Sequence, residues 1–165
     1  MDVEVTIASM KLEQVATMQL VAWEGEGESV GLPCDMFWED KQTRYLKEHI
    51  GGHPQLITRT VRDPRWPDII QRLPVVVNDL EISRKKMLCL VFACHHGKHR
   101  SVSVAEAVHM ILNDMGYKCK LMHIQLETVR GCCCRECTWP QDKPSDLIKG
   151  IKGVAVRSWK THAPP

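Results

Sequence analysis

Met87-Leu88-Cys89-Leu90-Val91-Phe92-Ala93-Cys94-His95-His96-Gly97-Lys98-His99-Arg100-Ser101-Val102 is the stretch whose reading decides the fold. Met87 to Ala93 is a short, unbroken apolar run, as expected of a strand buried on both faces. From Val102 onward, Val104, Val108, Ile111, Leu112 and Met115 recur at helical spacing, and Gly116 is placed as a terminator. Strand, tight polar loop and helix together aim backbone N–H groups and a helix dipole at an anion. Gly97 lets the backbone approach a ligand closely. Arg100 can grip two oxyanion oxygens with its planar fork, and Lys98 adds a mobile charge. Ser101 can cap the helix that begins there. His95, His96 and His99 can each donate a hydrogen bond, and a bound dianion would favour their charged forms. The predicted occupant is a phosphate.

Working outward, Tyr117 to Ile124 reads as a second strand. Two strands joined through a helix make a βαβ unit, hence parallel strands and an α/β fold. Upstream, Gln55 to Val61 is rich in β-branched residues and predicts a strand. Asp63-Pro64-Arg65-Trp66-Pro67 is a turn feeding a helix from Asp68, with Pro74 predicting a kink or break. Asp35 to Ile50 has helical character, with Asp35 as its N-cap and Gly51-Gly52 as its stop. Val3 to Ile7 alternates like a strand, Leu12 to Val21 is compatible with a helix, and Glu24 to Ser29 is an acidic Gly-rich loop. No internal repeat is evident. The expected architecture is a small three-layer-like α/β domain, with a parallel βαβ core around the strand–phosphate loop–helix unit. Residues 1–53 form an acidic N-terminal extension with a helix, 54–130 the core, and 131–165 a Cys-rich, basic tail.

A length of 165 residues suits one compact domain with appendages. Aromatics are 5 % of the chain, so Leu, Val, Ile and Met must supply most of the core. No stretch approaches the roughly 20 apolar residues of a membrane span. The N-terminus lacks the basic and apolar regions of a signal peptide, and the expected location is cytoplasmic, with no membrane partner. Eight cysteines in that setting point to metal, catalysis or burial, not to a disulfide framework. The net charge of +2 is uneven. Residues 1–30 carry Asp2, Glu4, Glu13, Glu24, Glu26 and Glu28 against Lys11, a balance of −5, which leaves +7 on the rest. A basic body suits an anionic partner.

The run Cys94-His95-His96-Gly97-Lys98-His99-Arg100-Ser101-Val102, followed by Ala105-Glu106, resembles the C-terminal domain of the RNase adapter protein RapZ family. That family carries Cys-Thr-Gly-Gly-Lys/Gln-His-Arg-Ser-Val, then a helix with Ala-Glu near its start. Upstream, Arg59 and Asp63-Pro64-Arg65-Trp66 resemble the family's Asp-x-Arg strand and Asp/Asn-Pro-x-Trp turn. Downstream, His123-Ile124-Gln125-Leu126-Glu127 resembles its His-Arg-x-Leu-Glu ending. His95-His96 stands where the family has Thr-Gly, and Ile57 where its strand has Asp. The family's ATP-binding domain has no counterpart, since no Gly-x-x-x-x-Gly-Lys-Ser/Thr occurs. The resemblance implies an α/β domain that binds a phosphorylated ligand, a phosphosugar or nucleotide, and RNA, without catalysis. The expected ligand set, read from the loop's own chemistry, is His95, His96, Gly97, Lys98, His99, Arg100 and Ser101, with Arg59 and His123 reaching in from adjacent strands. The resemblance also implies a regulatory or adapter role, with a separate ATP-binding domain or a second copy of the chain as partner.

The same loop matches Cys-x-x-Gly-x-x-Arg-Ser/Thr, the signature of cysteine-dependent phosphatases. In that alternative, the Cys94 thiolate attacks phosphorus, Arg100 stabilises the transition state, and Asp68 of Trp66-Pro67-Asp68 protonates the leaving group. Ala93 replaces the usual His before the Cys. Trp66 already has a place in the RapZ-like turn, so only Asp68 is specific to the phosphatase pattern.

Cys132-Cys133-Cys134-Arg135-Glu136-Cys137 contains one zinc-knuckle spacing, Cys134-x-x-Cys137. A second pair could come from Cys119 and His123, which share a face in a strand, or from Cys132 or Cys133. Cys134 and Cys137 are therefore the candidate zinc ligands, against the plainer reading of reduced thiols in a turn. Lys143, Lys149, Lys152, Arg157 and Lys160, with Trp139 and Trp159, read either as an RNA-tracking tail with stacking side chains or as a solvated segment.

Overall fold

The computed structural model describes residues 4–15, 27–35, 37, 46, 48–83, 87–127, 137 and 146–162. Four strands form one parallel sheet: β1 (Glu4–Lys11), β2 (Gly27–Pro33), β3 (Met87–Cys94) and β4 (Lys118–His123), in the order β2-β3-β1-β4. Four α-helices accompany them among the described residues: α1 (Pro54–Val61), α2 (Trp66–Ser83), α3 (Arg100–Asp114) and α4 (Asp146–His162). The expected α/β fold with parallel strands is what forms.

β3 is buried from Leu88 to Cys94, as its unbroken apolar run requires of an inner strand. Leu88, Leu90, Phe92 and Cys94 point to one face, where all four helices contribute to a single core with Leu56, Ile69, Val108 and Ile151 among its members. Cys89, Val91 and Ala93 point to the other face, joining Ala8 and Met10 of β1 in a smaller cluster against Val15 and Ile124.

The stretch set apart as an N-terminal extension supplies two of the four strands, and β1 lies in the middle of the sheet. β3 and β4 are joined through α3 but are not neighbours, because β1 pairs with both, Glu4 opposite Met87 and opposite Lys118. A helix about 10 Å across spans two strand spacings of about 4.8 Å, so a crossover that skips one strand is sterically natural.

Gln55 to Val61, expected as a strand, is helical. Its β-branched residues favour extended chain, but Pro54 fills the first helical turn and the His53 ring Nδ1 accepts the Gln55 N–H at 3.2 Å. Pro54, Leu56, Ile57, Thr60 and Val61 are buried, a helical stripe that tertiary packing rewards. α2 runs through Pro74 without ending there. Of the expected Asp35–Ile50 helix, residues 36, 38–45 and 47 lie outside the described set, and residues 48–50 are turn and coil. Within Leu12 to Val21, Leu12–Gln14 is a 3-10 turn and residues 16–21 are outside the described set.

α3 ends as its sequence predicts. Gly116 has φ +91, its N–H reaches the Asn113 carbonyl at 3.1 Å, and the Tyr117 N–H reaches the Leu112 carbonyl at 3.1 Å. That bond pair is a Schellman motif, which needs a left-handed residue at the Gly position. The Asp63–Trp66 turn is equally well determined. Asp63 accepts the Arg65 N–H at 2.9 Å, forks onto the Arg65 guanidinium at 2.9 and 3.1 Å, and gives its carbonyl to the Trp66 N–H at 2.9 Å. Trp66 is then buried in the helical core. This motif is scaffold.

The basic tail is in part a packed helix. In α4, Ile151 and Ala155 are core residues and Trp159 packs on the same cluster, so Trp159 is not an outlying stacking platform. Lys149 pairs with Asp146 at 3.3 Å and Lys152 with Asp114 at 3.3 Å. Lys143 and Trp139 lie outside the described residues. No helix among the described residues is long and apolar enough to cross a membrane.

Candidate functional site

The Cys94–Ser101 loop lies over the C-terminal ends of the sheet's inner strands. From β1 the chain leads to β2 at one edge, and from β3 to β4 at the other. Strand ends where the connections part in this way are where ligands sit in open parallel sheets. Gly97 docks the loop there. It has φ +64, and a Cβ on it would lie 2.7 Å from the Lys11 N, 2.9 Å from the Met10 carbonyl carbon and 3.1 Å from the Gln125 Cβ. Only glycine meets both the conformation and the close approach. The Gly97 N–H closes the turn onto the Cys94 carbonyl at 3.2 Å.

Cys94 sits at the base, 2 % exposed. Its sulfur receives the Ser101 N–H at 3.5 Å and lies 3.2 Å from the Ser101 Oγ. Ser101 is fully buried in the first turn of α3, so it faces Cys94 and does not cap the helix. The cap position belongs to His99, which makes no side-chain cap hydrogen bond. Helix N-termini left this way need acceptors from elsewhere. Cys34, beside Cys94, is also fully buried, and burial, with Cys94 and Asp35 nearby, raises its thiol far above the ordinary range. Its thiol donates to the Leu32 carbonyl at 3.5 Å, as a buried neutral thiol does.

The loop's basic side chains divide. His95 and His96 are exposed, with ring centroids 4.6 Å apart and planes at 75°. Lys98 is half-buried, and its carbonyl accepts the Gly51 N–H at 2.9 Å. His99 donates its Nε2–H to the His49 carbonyl at 2.7 Å, which ties it to the preceding segment. Arg100 turns toward Asp35: Nη1 donates to the Asp35 carbonyl at 2.7 Å, and Nη2 is 3.1 Å from Asp35 Oδ1. The same Oδ1 accepts the His95 N–H at 2.9 Å. A carboxylate is therefore held between a loop amide and the guanidinium.

Two residues of the site carried no usable signal in the sequence. Asp35 reads as a helix cap, yet it is the loop's acidic partner. Gly51 reads as a helix stop, yet it is a packing residue under the start of α3. Besides its bond to Lys98, its carbonyl accepts the Ser103 hydroxyl at 2.7 Å. A Cβ there would lie 2.1 Å from the His99 carbonyl oxygen.

The remaining sequence candidates sit on other elements. Arg59 is on α1, not on a strand. His123 ends β4, and both ring nitrogens are engaged, Nδ1 with Ser9 Oγ at 2.7 Å and Nε2 with Glu106 Oε1 at 3.0 Å. Asp68 lines a surface pocket with Val30, Gly31, Leu32, Gln71 and Arg72, and no residue of the 94–101 loop lines that pocket. Cys137 is buried, its sulfur 3.4 Å from His49 Nδ1, while Cys132 to Cys134 lie outside the described residues. Cys119, its suggested zinc partner, is a thiol that burial pushes up to about 11. No group of three or more metal-ligating side chains forms among the described residues.

Comparison with known proteins decides the family. The RapZ C-terminal domain model matches residues 43–127, just over half of the chain. The chain belongs to the RapZ C-terminal domain family. A nucleotide-binding protein of Rhodospirillum rubrum is 31 % identical over 87 residues, which is 50 % of this chain and 27 % of that protein. A nucleotide-binding protein of Sphingopyxis alaskensis is 28 % identical over 87 residues, 50 % of this chain and 28 % of its own length. The RapZ-like match thus spans little more than a quarter of either relative. The segment matched by the family model, residues 43–127, contains the whole Cys94–Ser101 loop and α3, while β1, β2 and Asp35 precede it.

Proposed function

We propose that this RapZ-like chain binds a phosphorylated small molecule, a phosphosugar or nucleotide, through the Cys94–Ser101 loop. The observation that carries the reading is the Asp35 carboxylate, an oxyanion held by the His95 N–H and the Arg100 guanidinium. A donor pair that holds one oxyanion can hold another. The basic side chain of Lys98 and an α3 N-terminus without a side-chain cap supply further attraction for negative charge. Family membership and the nucleotide-binding names of the two relatives point the same way. RNA binding and an adapter role extend the proposal. The α4 cations that would serve it are partly paired, and the loop remains the stronger anion site.

The alternative, a cysteine-dependent phosphatase, gains from the Ser101 bonds to Cys94 and loses from Asp68, which faces a different pocket. Calorimetric titration with phosphosugars, nucleotides and structured RNA at a stated salt concentration tests the binding reading, with Arg100→Ala as the control. Wild type should bind a phosphorylated ligand. Arg100→Ala should lose at least about tenfold in affinity while still melting cooperatively, as expected for a charge-assisted fork. Full binding by Arg100→Ala would sink the proposal. Turnover of an aryl phosphate that Cys94→Ser abolishes would replace it with the phosphatase.

A further inference from the structure

We propose that Asp35 is a built-in competitor at the loop, its carboxylate holding part of the oxyanion position so that a phosphate enters by displacing it; this rests on the reading of the Cys94–Ser101 loop as a phosphate site. Oδ1 of Asp35 takes the His95 N–H at 2.9 Å and faces Arg100 Nη2 at 3.1 Å. These are the donors a phosphate oxygen would use. The guanidinium has five N–H donors in one plane, and two of them already point at Asp35, one to its carboxylate and one to its carbonyl. A phosphate gripped by the Nη1–Nη2 edge takes the place of these bonds, and one that accepts the His95 N–H takes it from the Asp35 carboxylate.

The competitor is tethered. Pro33 pairs with Ala93 at the end of the β2–β3 ladder, and the Cys34 N–H extends that ladder by donating to the Ala93 carbonyl at 2.7 Å. Cys34 is fully buried, so the backbone that delivers Asp35 is anchored beside the start of the loop. The carboxylate itself is 40 % exposed. It can therefore swing into water when a ligand arrives without stranding a buried charge. A site whose competent state is populated only part of the time shows an affinity lowered by that fraction. Asp35 would thus set how much phosphate the loop needs, and would reject anions that bind more weakly than a tethered carboxylate.

A different role would leave the same contacts. If Asp35 only positioned Arg100, removing its charge would weaken binding. Titration of inorganic phosphate into wild type, Asp35→Asn and Asp35→Ser, followed by calorimetry and by the His95 amide resonance, separates the two. In the proposed case Asp35→Asn binds phosphate on the order of fivefold more tightly, the factor expected for release of a partly exposed ion pair. Asp35→Ser follows it, and phosphate shifts the His95 amide in both variants. Equal or weaker binding by both folded variants overturns the competitor and leaves the loop's phosphate site standing. If neither wild type nor variants bind phosphate, the loop reading itself fails and the competitor fails with it.

Discussion

Gly51→Ala tests the packing that places the loop. A Cβ at this position would lie 2.1 Å from the His99 carbonyl oxygen, 2.6 Å from the Val102 Cβ and 2.8 Å from the Ser103 N. Two of the three are backbone atoms of the α3 cap residue and first turn, and the third is a Cβ, so no flexible side-chain end can yield. Either the Gly51 segment or the α3 N-terminus must retreat. Both hydrogen bonds between them, Gly51 N–H to the Lys98 carbonyl and the Ser103 hydroxyl to the Gly51 carbonyl, are then stretched. Each is worth about 1 kcal/mol, and overpacking adds about 1–3 kcal/mol, so the loss is on the order of 3–5 kcal/mol. For a chain of this size that lowers the melting midpoint by roughly 10 °C. Gly52→Ala is the matched control, since its nearest neighbour would be Glu106 Oε1 at 3.7 Å, an ordinary contact. It should stay within about 0.5 kcal/mol of wild type. Thermal melts by circular dichroism or calorimetry measure both. A Gly51→Ala midpoint within 2–3 °C of Gly52→Ala, roughly the spread of 1 kcal/mol, would refute the idea that Gly51 seats α3.

Gly116→Ala isolates conformation from space: at φ +91 with nothing within 4 Å of an added Cβ, it should cost about 1–2 kcal/mol by denaturant unfolding. A neutral result would show that the Schellman turn relaxes. Burial pushes His109 below its ordinary value of 6.5, against the opposing pull of Glu106 and the Cys119 carbonyl. Below pH about 6.5 the unfolded chain therefore takes up the proton first, and the stability held above that pH is lost as the pH falls. The urea midpoint should drop between pH 7.5 and 5.5 in wild type, and less in His109→Gln. Equal drops in the two proteins would assign the acid sensitivity elsewhere.

Much of the site was legible because its signals are local. The run from Leu88 to Cys94, the glycine three residues on, and the helical repeat to Leu112 all lie within one continuous stretch. Gly116 announced a left-handed cap, and the cap bonds are there. The α1 segment misled for a local reason as well. Ile57, Thr58, Thr60 and Val61 favour extended chain, but Pro54, the His53 cap and the burial stripe outweigh that preference. Trp159 misled through composition, since an aromatic among lysines suggested a nucleic-acid platform before its packing against the helical core was known.

By itself, the sequence determined the strand–loop–helix unit, its positive charge and its family, because periodicity, glycine conformation and motif spacing are properties of neighbouring residues. Tertiary structure alone decided the rest. It put β1 between β3 and β4, brought Asp35 across 60 residues to the His95 N–H, and set Gly51 against a helix 52 residues on. A hydrophobic pattern reports which face of an element is buried, not which element covers it. A lone carboxylate or glycine has no pattern, and its role is set only by the distant atoms that the fold brings to it.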